Sequence, residues 1–551
     1  MKKKILLFAI LCLASFAVCA QELAVCNSID EAAEFITHGQ GSYALKYLDD
    51  YLKENPRSAD AFFLRTQIKT ENEMYEEALD DINKAIEYWK EGDKCKKPIL
   101  FCWRASIYTN LGEAQSAIED YTTAYNLVAE NDTDSIMCSV LYLRAQLYYA
   151  TGDLESSDAD YEKLVDCGEY LPGCIGLACN MFARGKYAYM IALLDGCEKT
   201  DSLCAEIYYY RMQGYSNLGA RERAIDDAIT YLKIHADFGN EKGEAIFRGD
   251  LPYAIAKVKE VIEAPEIADE EKLNWHKLLA SLYMENDDYH SAIRKLKEIK
   301  EICGASPVLH ALCGISYKNI GCYDKAAAEY DQFIDLMQGE DSSYLNDIQL
   351  ERADCYRLGG RYSEAIEEYG SLFGDYFDNT GIYYLRGWCY ELMGNDKAAM
   401  AEYNKGIELS SDYAYIYLMR GVQYLKQSKK ALATADFEQV LRLDTVPEDG
   451  CCRFYALHFM GRDDEAIEFL ERYIEACGHD SGSYYDKACL LARMGKKEEA
   501  VEALSTAFEK GFRTFTHIEN DDDMNPIRNR REFKKLVKKY KEIHEEEIKG
   551  L

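Results

Sequence analysis

The sequence lacks the residue patterns that mark metal centres. It contains no C-x-x-C motif, and its 9 histidines form neither an H-E-x-x-H motif nor a pair four residues apart on one helix face. Zinc sites of the common kinds need such closely spaced ligands. The run Asp521–Asp523 lacks the spacing and the distal glutamate of a calcium loop, so we interpret it as acids at a helix N-terminus. We therefore predict no metal ion and no other cofactor.

Motifs for catalysis are missing as well. There is no G-x-S-x-G motif and no glycine-rich phosphate loop ending in Lys-Ser or Lys-Thr. No pair of carboxylates stands out from the 97 acidic residues. A repeat, described below, accounts for nearly every residue and leaves no room for a separate catalytic domain. The sequence therefore predicts a protein that is not an enzyme.

After the N-terminus, the chain has no apolar run of the roughly 20 residues that a membrane-spanning helix needs. The N-terminus itself carries three lysines in residues 1–4, an almost wholly apolar stretch over residues 5–18, and small residues up to Ala20. This pattern is typical of a secretory signal peptide. We expect cleavage near Ala20 and an exported protein, periplasmic or at the cell surface, without a membrane span.

Positive charge is in short supply, because 64 Lys and Arg face 97 Asp and Glu and give a net charge of −33. Such a field repels nucleic acid and anionic lipid, so we expect no nucleic-acid partner. Alternatively, the excess acid only keeps a large helical surface soluble. Charge by itself identifies no partner.

Cysteine is abundant, with 20 in the chain. Some stand where closely packed helices need a small apolar residue, and we interpret these as core positions. Others lie near predicted helix ends and could form disulfides in an exported protein, with a connectivity that spacing does not assign. The core group is Cys313, Cys355, Cys389 and Cys489, and the helix-end group is Cys95, Cys167, Cys174 and Cys197.

An internal repeat runs through the chain. A small residue in the middle of one predicted helix is followed twelve residues later by a second small residue that opens the next helix, and this unit recurs about every 34 residues. Small residues let two helix backbones approach where they cross. Clear examples are Ala105 with Ala117, Gly314 with Ala326, Gly387 with Ala399, and Gly421 with Ala433. Weaker copies are marked by Ala44, Met190, Ala254 and Ala466.

The repeat resembles the tetratricopeptide repeat family, as in Tyr383–Gly387 and Tyr362–Ile366. The resemblance covers nearly the whole chain after residue 20, and the N-terminus and the style of the repeat resemble exported proteins of the Bacteroides group of bacteria. It implies an all-α fold: a right-handed alpha-alpha superhelix, a solenoid of about 14 helix-turn-helix repeats with a C-terminal capping helix. We divide the chain into a signal peptide (1–20), an N-terminal array (21–237), an irregular repeat or bend (238–267), a C-terminal array (268–510) and a C-terminal cap (511–551), in which Phe533 and Leu536 should face the last repeat.

An arginine and an acid recur together within single repeats. The arginine precedes the small residue of the first helix, and the acid follows that of the second by three positions. The arginines could form an anion-binding ladder, but their matched occurrence with the acids favours an ion pair inside each repeat. The pairs are Arg65 with Asp81, Arg104 with Asp120, Arg144 with Asp160, Arg211 with Asp227, Arg352 with Glu368, Arg386 with Glu402, and Arg420 with Asp436.

The family resemblance also implies a concave surface made mainly by the first helices, which binds extended or helical peptides. Aromatic side chains on those helices are the predicted peptide contacts, since they make good interface anchors. We therefore expect a non-catalytic protein- or peptide-binding scaffold of the cell envelope. The alternatives are a glycan-binding surface protein and an architectural subunit of an envelope complex. The predicted contacts are Phe63, Trp103, Tyr142, Tyr149, Tyr209, Tyr210, Tyr384 and Trp388.

Overall fold

The structure is a computed structural model that describes residues 29, 32–33, 41–129, 134–235, 245–265, 267, 269–337, 343–373, 379–444 and 452–551. All regular secondary structure in these ranges is helical, which confirms the predicted all-α class. The predicted signal peptide and part of the predicted bend lie outside the described residues. In the ranges given, no helix has both the length and the apolar character needed to cross a membrane.

The chain divides into two compact units, Met1–Asp250 and Leu251–Leu551. The division falls inside the range 238–267, where the sequence indicates a bend. Unit 1 contains α1 (Gly41–Glu54), α2 (Ala59–Glu71), α3 (Tyr75–Tyr88), α4 (Lys97–Leu111), α5 (Ala114–Ala129), α6 (Asp134–Thr151), α7 (Leu154–Asp166), α8 (Tyr170–Ala183), α9 (Tyr187–Glu198), α10 (Ala205–Asn217) and α11 (Arg221–His235).

Unit 2 continues the same pattern and ends in a short helix, a 3-10 turn, a second short helix and a longer last helix. It contains α12 (Leu251–Glu263), α13 (Asp269–Glu285), α14 (Tyr289–Cys303), α15 (Pro307–Asn319), α16 (Tyr323–Leu336), α17 (Ser343–Leu358), α18 (Tyr362–Ser371), α19 (Asn379–Leu392), α20 (Asp396–Leu409), α21 (Ala414–Lys426), α22 (Lys430–Leu443), α23 (Cys452–Phe459), α24 (Asp463–Ala476), α25 (Ser481–Arg493), α26 (Lys497–Glu509), α27 (Phe515–Asn520), a 3-10 turn (Asp522–Met524), α28 (Asn525–Arg528) and α29 (Arg531–Glu547).

Within each unit the helices pack in consecutive antiparallel pairs, such as α4 with α5 and α19 with α20. The small residue of the first helix lies against an aromatic ring of the second. A Cβ atom added to Gly387 would lie 2.3 Å from the ring of Tyr403, and one added to Gly314 would lie 2.3 Å from that of Tyr330. The small residues are therefore required by ring packing inside the repeat.

The turn between paired helices has a recurring backbone conformation. Seven residues after the small residue of the first helix, φ is positive, as at Gly112 (φ 84) and Gly394 (φ 74). Glycine adopts this left-handed region without steric penalty. At the equivalent position other repeats use Glu73, Asp287 and Ser428, with φ between 56 and 61.

After the last helix pair, residues 512–551 form what we call the strap. Its first part packs on α25 and α26, where Phe515, Ile518 and Met524 are buried in one core with the last repeat. Phe533 is 3% exposed in the same core, and Leu536 is partly buried against it. The end of the strap also packs against the helices at the start of unit 2. This second contact was not predicted from the sequence.

Candidate binding surfaces

All seven arginines of the predicted pairs are hydrogen-bonded to their acids. With aspartate the contact is two-pronged: in the Arg144–Asp160 pair, Nε and Nη2 each donate to one carboxylate oxygen, at 2.7 and 2.8 Å. Arg144 is 6% exposed and Asp160 is 3% exposed. The same geometry occurs for Arg65, Arg104, Arg211 and Arg420 with their aspartates.

The two glutamate pairs are weaker. Arg352 reaches Glu368 through Nη2 alone at 2.6 Å, and Arg386 reaches Glu402 at 3.4 Å. Among the described residues, Nε of each arginine is buried without a hydrogen-bond partner. The extra methylene of glutamate displaces the carboxylate, so the fork of the guanidinium is only half satisfied. Because every guanidinium is held by an acid of its own repeat, the arrangement favours helix clamping over an anion ladder.

One repeat keeps the acid without the arginine, and sequence analysis missed it. Glu329 stands at the acid position, while Cys313 occupies the arginine position. The carboxylate instead accepts from Lys300 of the preceding repeat at 2.6 Å and lies 2.6 Å from Nδ1 of His310. An acid at this position of a repeat that lacks the arginine could have indicated that another helix supplies the positive charge.

In unit 1 the predicted aromatic contacts fall into two groups. Phe63 and Trp103 pack edge to face, with ring centroids 5.8 Å apart, and Trp103 is 8% exposed. The other four belong to what we call the tyrosine cluster, from helices α6, α7, α8 and α10. Its members are Tyr142, Tyr149, Tyr161, Tyr209, Tyr210 and Cys179.

The tyrosine cluster joins consecutive repeats and remains accessible at one point. Tyr142 packs on Tyr161 with centroids 6.3 Å apart, and Tyr209 lies 5.3 Å from Tyr210. The hydroxyl of Tyr210 and the thiol of Cys179 share a hydrogen bond, and burial raises the pKa of Tyr210 well above its ordinary value. Tyr149 is 37% exposed, which makes it the accessible edge of the cluster.

In unit 2 the two predicted contacts have different surroundings. Tyr384 lies among Trp388, Tyr413 and Tyr415, with centroid distances of 5.6 to 5.8 Å. One ring contact of Trp388 is the guanidinium of Arg357 at 4.6 Å, and another is His517 of the strap, edge-on at 5.7 Å. The surface predicted to bind a foreign peptide is therefore in part covered by the chain itself.

The strap touches several repeats of unit 2. Phe512 stacks on Tyr485 with centroids 4.4 Å apart. The hydroxyl of Thr514 lies 2.8 Å from that of Tyr323, and Thr516 lies against the turn at Gly360.

At the far end of the strap, the backbone carbonyl of Leu551 accepts from Lys325 at 2.6 Å. Ile548 and Leu551 pack against the core formed by α13 to α17. The strap thus joins the last repeat of unit 2 to its first complete repeats.

A group of acids lies where the strap meets α25. Tyr485 donates to Asp521 at 2.7 Å, and Arg493 is paired with Asp523. Burial and the neighbouring acids raise the pKa of Asp486 to about 7, and burial with Asp521 raises that of Asp523 to about 6.

The thiol of Cys489 and the carboxylates of Asp521 and Asp523 come within 4.8 Å of one another. Donors of Tyr485, Arg493 and the strap backbone already bond both carboxylates. We therefore assign no ion to this group.

The family model described as "Tetratricopeptide repeat" matches residues 100–129, 139–166 and 380–413. The model described as "A/B hydrolase-like, N-terminal domain" matches residues 455–548, which include the last part of α23 and all of α24 to α29. No curated protein matches the chain.

Solved structures with similar helix stacks include MamA (19% identity, 30% of this chain and 94% of that chain, TM-score 0.27) and the APC/C hetero-tetramer Cut9–Hcn1 (13%, 92% and 95%, 0.30). A third is the human IFIT1 dimer with m7Gppp-AAAA (15%, 72% and 94%, 0.29). At these TM-scores, none of them supports a conclusion about a ligand. The helix pairs and the matched segments together establish that this chain contains tetratricopeptide repeats.

Proposed function

We propose that this protein is a non-catalytic scaffold of the cell envelope that binds a protein or peptide through unit 1. The observation that carries the proposal is the tyrosine cluster, in which rings from consecutive repeats lie together and Tyr149 is accessible. Rigid aromatic side chains supply much contact area for little loss of conformational entropy. Matches to a repeat used for protein interaction support the same role.

Unit 1 is favoured over unit 2 because of the strap. Trp388, which is one of the predicted contacts, is in contact with His517 and Arg357. A partner that bound there would have to displace segments whose side chains, such as Ile518 and Met524, are fully buried. Displacing them would be expensive, at about 1.5–3 kcal/mol for each large apolar side chain.

The absence of catalysis is part of the proposal. The polar groups with the most unusual surroundings, such as Asp486 and the Arg–acid pairs, bond to other side chains of the repeat. These hydrogen bonds hold helices of the repeats together. The match of residues 455–548 to a domain named after hydrolases makes a direct assay worthwhile, and we expect the purified protein to leave ester and peptide substrates intact.

The test compares the chain from residue 21 onward with a Tyr149→Ala, Tyr209→Ala variant. Both proteins are used to capture partners from an envelope extract of the source organism, and each captured protein is then purified and titrated against them. We expect one partner whose affinity falls at least about tenfold in the variant, which corresponds to about 1.4 kcal/mol of binding free energy.

The matched control is Tyr189→Ala. Tyr189 is also in unit 1 but lies on α9, a second helix, and is 73% exposed. Its replacement should leave affinity unchanged while removing a comparable aromatic ring. Equal affinity of all three proteins, at equal helical content, would exclude the tyrosine cluster as the binding surface. Retention of a carbohydrate and of no protein would favour the glycan-binding alternative.

A further inference from the structure

We propose that the strap is an acid-sensitive latch of unit 2: at neutral pH its C-terminal end holds the first repeats of the unit, and uptake of a proton by His544 frees that end while the first part of the strap stays docked. The inference concerns unit 2 alone and does not depend on the partner proposed for unit 1.

The far end of the strap is held by few contacts. Ile548 and Leu551 are only partly buried against the core of α13 to α17, and one hydrogen bond joins Lys325 to the carbonyl of Leu551. The near end, in contrast, shares a fully buried core with α25 and α26. The strap can therefore open locally at its far end without disrupting the last repeat.

His544 lies in this weak region and is 8% exposed. Its ring is 5.7 Å from that of Phe515, and its Nδ1 is buried without a hydrogen-bond partner in the described part of the chain. His290, on α14 at the start of the unit, also has a buried ring nitrogen without a partner, Nε2. The site accommodates a neutral imidazole, and none of the described residues accepts the Nδ1 proton of a charged one.

The charges around His544 come from three elements. Arg513 of the strap and His290 of α14 disfavour protonation, and Glu547 of α29 favours it. The carboxylate of Glu547, however, is itself paired with Arg513 at 3.4 Å. Burial and Arg513 together lower the pKa of His544 below its ordinary value of 6.5.

The sign of the effect follows from this. A released His544 takes up a proton at its ordinary pKa, whereas a docked one resists it. Docking is therefore at full strength above about pH 6.5 and weakens as the pH falls below that value. The acids at the near end act in the opposite direction, because burial, with a smaller contribution from neighbouring acids, raises the pKa values of Asp486 and Asp523, so that docking favours their protonated forms. Acidification should loosen one end of the strap and tighten the other.

Hydrogen exchange of the full chain at pH 7.5 and 5.5, corrected for intrinsic rates, tests the latch. We expect amides of residues 541–551 to open about threefold or more often at pH 5.5, while those of residues 515–528 do not. In a His544→Phe variant the response of residues 541–551 should disappear. A His479→Phe variant, which replaces a histidine outside the strap, should behave like the parent.

A second variant covers the case in which His544→Phe fails to dock. Glu547→Gln removes the acid that favours protonation, so the midpoint of the pH response should move to lower pH. A parent without a pH response at residues 541–551, an unchanged midpoint in Glu547→Gln, or an undiminished response in a docked His544→Phe variant would each overturn the proposal.

Discussion

The Arg–acid pairs show how strongly one methylene group matters at the scale of a residue. Aspartate accepts hydrogen bonds from both Nε and Nη2 of the arginine, as in the Arg144–Asp160 pair, whereas glutamate accepts from Nη2 alone. Breaking a buried pair leaves an uncompensated charge, which is far more destabilising than removing both partners. The pairs therefore make the packing of two helices conditional on the presence of both residues.

The Arg144–Asp160 pair gives the clearest test, since Asp81 is also bonded to Lys69. We expect Asp160→Ala to lower the free energy of unfolding of its repeat by about 3 kcal/mol or more, and the double change Arg144→Leu with Asp160→Leu to lower it by less. Chemical denaturation followed by circular dichroism measures both. Equal losses would mean that the pair contributes only packing.

At the level of residues, each pair was predictable from the sequence because arginine and acid occur together at fixed positions. The sequence could not indicate the Lys300–Glu329–His310 group, because Lys300 and His310 stand outside that register. Nor could it indicate that Trp388 meets His517, because these residues are 129 positions apart and no periodic pattern relates them.

At the scale of an element, α19 shows why a helix interior contains glycine. Gly387 has no room for a Cβ atom beside Tyr403. At Gly381 on the same helix, no atom of the described residues outside the adjoining helix backbone lies within 4 Å of the Cβ position. The first glycine is required by packing against the paired helix, and the second is not.

This contrast predicts opposite effects of the same substitution. Gly387→Ala should destabilise the protein by about 1–3 kcal/mol, because the aromatic ring must move. Gly381→Ala should be neutral or stabilise it by up to about 1 kcal/mol, since alanine is the better helix former. Melting temperatures of the two variants would show the difference, and equal shifts would contradict the packing argument.

The helices and their pairing could be predicted from the sequence, because small residues twelve positions apart fix where two neighbouring helices cross. The cap was accessible in part: Phe533 lies in the last core. The path of the strap was not, since the information that places Thr514 beside Tyr323 resides in contacts rather than in a repeat.

At the scale of the whole molecule, unit 2 contains a carboxyl group that should make its stability depend on pH. Half-buried Asp486 has a pKa raised from 3.8 to about 7, so the folded unit 2 holds a proton that the unfolded chain has released. Stability from this group is complete below about pH 3.8 and is lost as the pH rises toward about 7. The slope is at most about 1.4 kcal/mol per pH unit.

We therefore expect the amides of α25 and α26 to become better protected between pH 8 and pH 5, and an Asp486→Asn variant to show a flatter profile. The amides of α4 and α5 in unit 1 provide an internal reference. A parent and a variant with the same profile would show that Asp486 does not determine the pH dependence of unit 2.

Because of the strap, the two units should differ in how early their tertiary contacts can form during synthesis. Helix pairs in unit 1 contact their sequence neighbours, so each can settle as soon as the next has emerged. In unit 2, Tyr323 contacts Thr514, which is synthesised 191 positions later, and Lys325 contacts Leu551, which is synthesised 226 positions later. Long loops of this kind close slowly. Until these contacts form, the early repeats of unit 2 expose apolar surface to which chaperones can bind during synthesis. Unit 1 has already been synthesised by then.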